Sequence, residues 1–174
     1  RTDWTHRTLL LRVTTRPLKN HNLMTTTSRS IPQHKPTPQL DKMLIFTDYH
    51  VGKTRDLFYT TTTEQYMDWF IGILDTNPDV DCIGFLGDWH ESRANIHIDT
   101  LNLSYRLIER LNSRGLPIFF VVGNHDLFNR TNRNIHSCVF FDRFENVNLI
   151  TQPTVFPQFD GKALLSPYLF HTEY

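Results

Sequence analysis

Six residues of this chain are of types that bind cations and move protons: Asp48, His50, Asp88, Asn124, His125 and Asp126. Carboxylate and amide oxygens mixed with imidazole nitrogens suit Mn, Fe or Zn better than Ca, which prefers oxygen throughout. Asp48 and His50 stand two apart, so they share a face of a regular strand or converge where the strand finishes. Asp88 lies 40 residues further on, and Asn124 follows after another 36. Neighbouring parallel strands lie about 4.8 Å apart. Side chains from three adjacent strand ends therefore reach ions held roughly 3.5–4 Å apart, the spacing of a two-metal site.

Each set follows an apolar run that reads as a strand: residues 43–46, 82–86 and 118–122. Ligands of open α/β sheets sit at the carboxyl ends of strands. Between the first two runs, Thr61 followed by Glu64 has the form of a capping box. Met67, Phe70, Ile71 and Leu74 then recur at helical spacing until Asn77-Pro78 stops them. A second helix is expected over about residues 99–113, with Leu101, Tyr105, Ile108 and Leu111 on its inner face. Gly115 is placed for a left-handed cap. Two successive βαβ units imply a parallel sheet with right-handed crossovers. Further on, the pattern predicts a helix over residues 134–144 with Ile135, Cys138 and Val139 inward, then short strands at 147–150 and 163–165. Trp69 and the Phe-rich third strand read as core.

The 174 residues amount to about one domain, and 39% apolar content with 13 Phe supplies a core. A net charge of zero hides an asymmetry. Residues 1–42 carry eight Lys/Arg against two Asp/Glu, and the remainder carries ten against sixteen. Residues 1–42 read as a disordered basic leader outside the fold, resembling a transit peptide in composition; the folded unit is expected over 43–174. Its negative charge suits a cation-collecting site better than a passive nucleic-acid coat. Cys82 and Cys138 show no paired spacing, which points to a reducing cytoplasm without disulfides. No run approaches the roughly 18 apolar residues of a membrane span.

Asp48-x-His50, Gly87-Asp88 with Glu91, and Gly123-Asn124-His125-Asp126 together resemble the first three signatures of the calcineurin-like metallophosphoesterases. Gly87-Asp88-Trp89-His90-Glu91-Ser92-Arg93 before a helix, and the closing Leu165-Ser166-Pro167-Tyr168-Leu169, are most similar to that superfamily's DNA-repair and recombination nucleases. Those are a bacterial repair exonuclease and a phage recombination endonuclease, each of which partners a coiled-coil ATPase. The resemblance implies an α/β fold, the βαβαβ parallel-sheet half of a metallophosphoesterase sandwich. It implies that Asp48 and His50 bind one divalent metal, Asp88 bridges to a second, and Asn124 binds the second, with Mn first and Fe or Zn as alternatives. A metal-bridging hydroxide would attack phosphorus, His125 would stabilise charge or protonate the leaving oxygen, and Asp126 would orient the His125 ring. The implied function is a DNA phosphodiesterase of recombination and repair, with DNA, a coiled-coil ATPase and a second copy in a homodimer as partners. It would work in the cytoplasm, of the host where a phage supplies it, and away from membranes. Lys53, Arg55 and His97 are candidates to contact substrate.

Other readings are weaker. Gly52-Lys53-Thr54 lacks the upstream glycine of a phosphate loop, since Thr47 stands there, and His90-Glu91 lacks the second histidine of a zinc-protease helix, since Ala94 stands there. His90 is therefore left out of the ligand set. A phosphomonoesterase acting on protein or nucleotide is the alternative within the same chemistry, although Glu91-Ser92-Arg93 departs from the Asp-Arg-Gly of the family's protein phosphatases. A non-catalytic scaffold binding DNA or an ATPase is the alternative outside it. The family's later lone His and Gly-His-x-His segment are missing, so the chain is expected to be an N-terminal fragment, truncated at its C-terminus and inactive alone, with an exposed sheet edge.

Overall fold

The computed structural model of the chain describes residues 9–12, 39–53, 56–129, 132–159 and 163–170. Along them run β1 (Leu9–Arg12), β2 (Lys42–Phe46), α1 (Leu57–Thr76), β3 (Cys82–Phe85), α2 (Ile98–Asn112) and β4 (Ile118–Val121). Then follow β5 (Leu127–Asn129), β6 (Asn132–His136), β7 (Val147–Ile150), β8 (Thr154–Phe156) and β9 (Ala163–Leu165). The central sheet has the order β1-β2-β3-β4-β7. Its last four strands are parallel, as the alternation of strands and helices predicts, and β1 pairs antiparallel with β2. β5–β6 and β8–β9 are separate hairpins.

Both faces of the parallel sheet are covered, which is why its strands are apolar at every position instead of alternating. Leu44, Phe46, Ile83, Phe85, Ile118 and Phe120 pack on the helical side, against Met67, Phe70 and Leu74 of α1 and Leu103, Leu107 and Leu111 of α2. The intervening Met43, Ile45, Cys82, Phe119, Val121 and Ile150 form a second core with Leu40 and Phe159, flanked by Phe156, Ala163 and Leu165 of the β8–β9 hairpin. Each residue points opposite to its neighbour, as the strand pleat requires.

Several expectations change. The fold does not begin at residue 43: Leu40 is buried in the second core, Lys42 opens β2, and Leu9–Arg12 of the supposed leader supply the edge strand β1. β1 runs along β2 from Leu9 opposite Ile45 to Arg12 opposite Lys42. The rest of the leader reading lies outside the described residues.

α1 begins at Leu57, capped by the Asp56 side chain accepting from Tyr59 N–H at 2.7 Å, and not by a box at Thr61–Glu64. Thr61, Thr62 and Thr63 lie inside the helix, where their hydroxyls bond back to the carbonyls of Leu57, Phe58 and Tyr59. On α2, Leu101 and Tyr105 are largely exposed, and Thr100, Leu103, Ser104 and Leu107 face inward with Ile108 and Leu111. Ser104 is drawn in because it bonds both Trp89 Nε1–H and the His90 ring. The helix expected over 134–144 is replaced by β6, which pairs with β5, and a 3-10 turn at Val139–Arg143. Ile135 and Val139 are exposed, whereas Cys138 and Phe141 are buried. Among the described residues the core tryptophan is Trp89, packed among Phe46, Tyr49, Phe85, Phe120 and Phe141, and Trp69 is half-exposed against Tyr66.

Candidate metal centre

The carboxyl ends of β2, β3 and β4 carry three loops that meet at one edge of the sheet. The β2–β3 ladder continues into the first two. Asp48 N–H bonds Gly87 O at 3.1 Å, His50 N–H bonds Asp88 O at 3.0 Å, and Val51 N–H bonds Trp89 O at 2.7 Å. Tyr59 of α1 donates its hydroxyl to the His50 carbonyl at 2.5 Å. To stay paired while turning, three residues take left-handed backbone: Asp48 (φ 57°), His50 (φ 50°) and Asp88 (φ 62°). Non-glycine residues hold that region at a cost of order 1–3 kcal/mol, and such strain gathers at functional sites. All three are residues singled out from the sequence as metal ligands.

The second and third loops touch backbone to backbone. A Cβ on Gly123 would lie 2.1 Å from Asp88 N and 2.3 Å from Asp88 Oδ1; one on Gly87 would lie 2.8 Å from Gly123 Cα. Asp126 binds these loops together from below. Its buried carboxylate accepts the N–H groups of Gly123 (2.9 Å), Asp88 (3.1 Å) and Trp89 (3.2 Å) at Oδ2 and of His90 (2.9 Å) at Oδ1. Burial pushes this carboxyl up to about 6, against the pull of its N–H donors. The expectation that Asp126 orients the His125 ring is therefore corrected: it fastens the loops, and the ring's Nδ1 faces the Glu91 carbonyl oxygen at 3.3 Å.

Ligand atoms of Asp48, His50 and Asp88 lie within 4.8 Å of one another. His50 Nε2 is 3.6 Å from Asp48 Oδ1. Asp88 Oδ1 also accepts the His125 N–H at 2.9 Å, which ties the second loop to the third. The His50 and His125 rings stand edge to face with centroids 5.1 Å apart. Asn124 occupies the turn before His125 and is half-buried. Glu91, noted in the sequence motif but given no role there, joins His50 and His125 in a second group of donors within 4.8 Å of one another. Its Oε2 lies 2.8 Å from His50 Nδ1, off the line of an N–H bond, so that buried nitrogen has no hydrogen-bond partner. An imidazole with one nitrogen 3.6 Å from Asp48 Oδ1, among carboxylates whose backbones are strained to converge, fits a divalent cation of the Mn, Fe or Zn type.

His90 stands apart from these two groups of donors. It is buried, with Nδ1 2.8 Å from Ser137 Oγ and Nε2 2.8 Å from Ser104 Oγ. Burial pushes its pKa down to about 4. His90, Asp126 and Cys138 also converge, but the ring nitrogens and the carboxylate are already engaged, so this cluster is a structural knot.

Residues that follow His50 and Glu91 in the chain line a cavity of about 480 Å³, whose walls include Gly52, Lys53, Ser92, Asn95, His97 and Thr100. It brings together two of the residues expected to meet substrate, Lys53 and His97. His97 stands at the N-cap of α2 with no capping bond from its side chain. Arg55 lies outside the described residues.

A family model described as calcineurin-like phosphoesterase matches residues 42–171. Among solved structures, the chain is similar to the nuclease MPE of Pseudomonas putida, at 20% identity and a TM-score of 0.45, over 66% of this chain and 50% of that one. The chain thus spans about half the length of that structure. No curated protein matches it.

Proposed function

This chain belongs to the calcineurin-like phosphoesterase family, and from that membership we propose that it hydrolyses phosphodiesters of DNA with divalent metal ions. The observation that carries this reading is the convergence of Asp48, His50 and Asp88, all on left-handed backbone. Asp48, His50, Asp88 and Asn124 are the residues that would hold two cations, with Mn as the first candidate. When bound, such ions act as Lewis acids toward a phosphoryl oxygen and make water acidic enough to attack at neutral pH. His125, on the facing loop, supplies a ring nitrogen for proton exchange with the leaving oxygen.

A diester is favoured over a monoester because the residues directly after His50 and Glu91 line a cavity of about 480 Å³, a volume in the range of small-ligand sites. Lys53 there offers a cation to a flanking phosphate, and Asn95, Ser92 and His97 offer hydrogen bonds to a nucleoside. A coiled-coil ATPase partner and a homodimer belong to the same reading and rest on the resemblance of residues 87–93 and 165–169, and a cytoplasmic setting rests on the unpaired spacing of Cys82 and Cys138. Among the described residues no helix is long and apolar enough to cross a membrane.

The test is hydrolysis of bis(p-nitrophenyl) phosphate and p-nitrophenyl phosphate by the full-length protein with Mn²⁺. The expected result is faster turnover of the diester, abolished by chelation. Asp88→Asn should lower it by more than the ten- to hundredfold that loss of a mere supporting partner costs. Preference for the monoester would transfer the assignment to a phosphomonoesterase, and turnover indifferent to chelator would overturn the metal-dependent reading.

A further inference from the structure

We propose that Glu91 is the positioning residue of the metal centre, holding both of its histidines in the tautomer with the proton on Nδ1. This inference rests on the metal-centre reading above and extends it to a residue given no part there. Two atoms of Glu91 face two imidazoles. Its carboxylate Oε2 is 2.8 Å from Nδ1 of His50, and its main-chain oxygen is 3.3 Å from Nδ1 of His125. Carboxylate and carbonyl oxygens only accept hydrogen bonds. A bare nitrogen lone pair against either oxygen would be repelled, so each Nδ1 carries the proton and each Nε2 keeps its lone pair open. For His50 that open nitrogen is the one 3.6 Å from Asp48 Oδ1, on the side of the Asp48–Asp88 group.

His50 belongs to both donor groups of the centre, but one imidazole places only one nitrogen on a given cation. The two groups are resolved if Asp48 and Asp88 share the cation side of His50 and Glu91 serves its far side. Metal-bound histidines commonly give their second N–H to a carboxylate, which sets both tautomer and ring angle. The 2.8 Å contact is out of line here, and catalytic hydrogen bonds are often misaligned until the site is loaded. Glu91 is itself fixed to the first loop, since its N–H bonds Val51 O at 3.2 Å. One residue on the second loop thereby sets a histidine on the first and a histidine on the third.

The two contacts differ in a way that experiment can separate: the one to His50 uses the side chain, and the one to His125 uses the main chain. Long-range ¹H–¹⁵N spectra of the chelator-treated chain, labelled at histidine, report which ring nitrogen carries the proton. Both His50 and His125 should show the Nδ1–H form. Glu91→Ala should return His50 toward the Nε2–H form that free histidine prefers and leave His125 unchanged. Glu91→Gln, whose amide oxygen still accepts, should keep His50 largely as in the wild type. Calorimetric titration with Mn²⁺ should show affinity falling ten- to hundredfold in Glu91→Ala, and less in Glu91→Gln. An Nε2–H tautomer at His50 in the wild-type chain, or Mn²⁺ affinity unchanged within threefold in Glu91→Ala, would overturn the proposal. The tautomer is read without metal or turnover. Spectra as expected, together with no metal-dependent hydrolysis by the full-length protein, would therefore sink the enzymatic reading and leave the role of Glu91 standing.

Discussion

Asp48 shows how a single residue can be placed against its own backbone preference. Its side chain is more than half exposed and approaches His50 at 3.6 Å, while its backbone sits at φ 57°. Left-handed backbone costs residues with a Cβ about 1–2 kcal/mol, and glycine almost nothing. Asp48→Gly is therefore expected to be more stable than Asp48→Ala by about 1 kcal/mol in the presence of chelator, a difference that urea titration of the two variants measures. Both should lose Mn²⁺ affinity. Equal stabilities would show that the loop relaxes out of the left-handed region when the carboxylate is removed. Gly123 lies under the opposite constraint, because any side chain there would run into the backbone of Asp88.

At the scale of elements, the start of α1 decides how the first loop is held. Asp56 caps the helix, and one turn on Tyr59 reaches back to the His50 carbonyl. Asp56→Ala should cost about 1 kcal/mol, the usual loss for an N-cap. Thr61→Ala, one turn inside the helix, should change stability by no more than about half that. A larger loss at Thr61 in denaturant unfolding would restore the capping box expected from the sequence. The ion pairs joining α1 to α2 and the turn after it, Glu64–Arg106, Asp68–Arg110 and Asp75–Arg114, are partly exposed. Pairs of that kind contribute little, so helix docking rests on Met67, Phe70, Leu103 and Leu107.

The whole molecule is two apolar layers on one sheet, and a buried cysteine reports on each. Cys138 belongs to the helical layer and Cys82 to the layer under the β8–β9 hairpin. Burial pushes the Cys82 thiol up to about 12 from an ordinary 9, and Cys138 well upward. The folded state thus keeps protons that the unfolded chain releases above pH 9. Stability should be unaffected by these thiols below that pH and fall as pH rises through it, by about 1.4 kcal/mol per unit for Cys82. Cys82→Ala should flatten that alkaline slope in denaturant titrations between pH 8 and 10.5. A slope unchanged by the substitution would assign it to other groups.

Much of the sheet was legible because parallel strands covered on both faces must be apolar throughout, so the runs at Met43, Cys82 and Ile118 stood out with their polar ends attached. The grouping of Asp48, His50 and Asp88 could be anticipated for the same reason, since adjacent parallel strands bring their carboxyl ends together. The parts of the site supplied by contact were not legible. Asp126 carries the same carboxylate whether it orients an imidazole or accepts four N–H groups from two loops, and only the approach of the second loop to the third makes it the latter. Glu91 gains meaning from where its two oxygens fall, and Ser104 from Trp89 and His90 above it. Spacing along the chain determined which residues arrive at the sheet edge. The tertiary structure alone decided which of them face a cation and which hold the others in place, because that depends on backbone angles and hydrogen-bond partners distant in sequence.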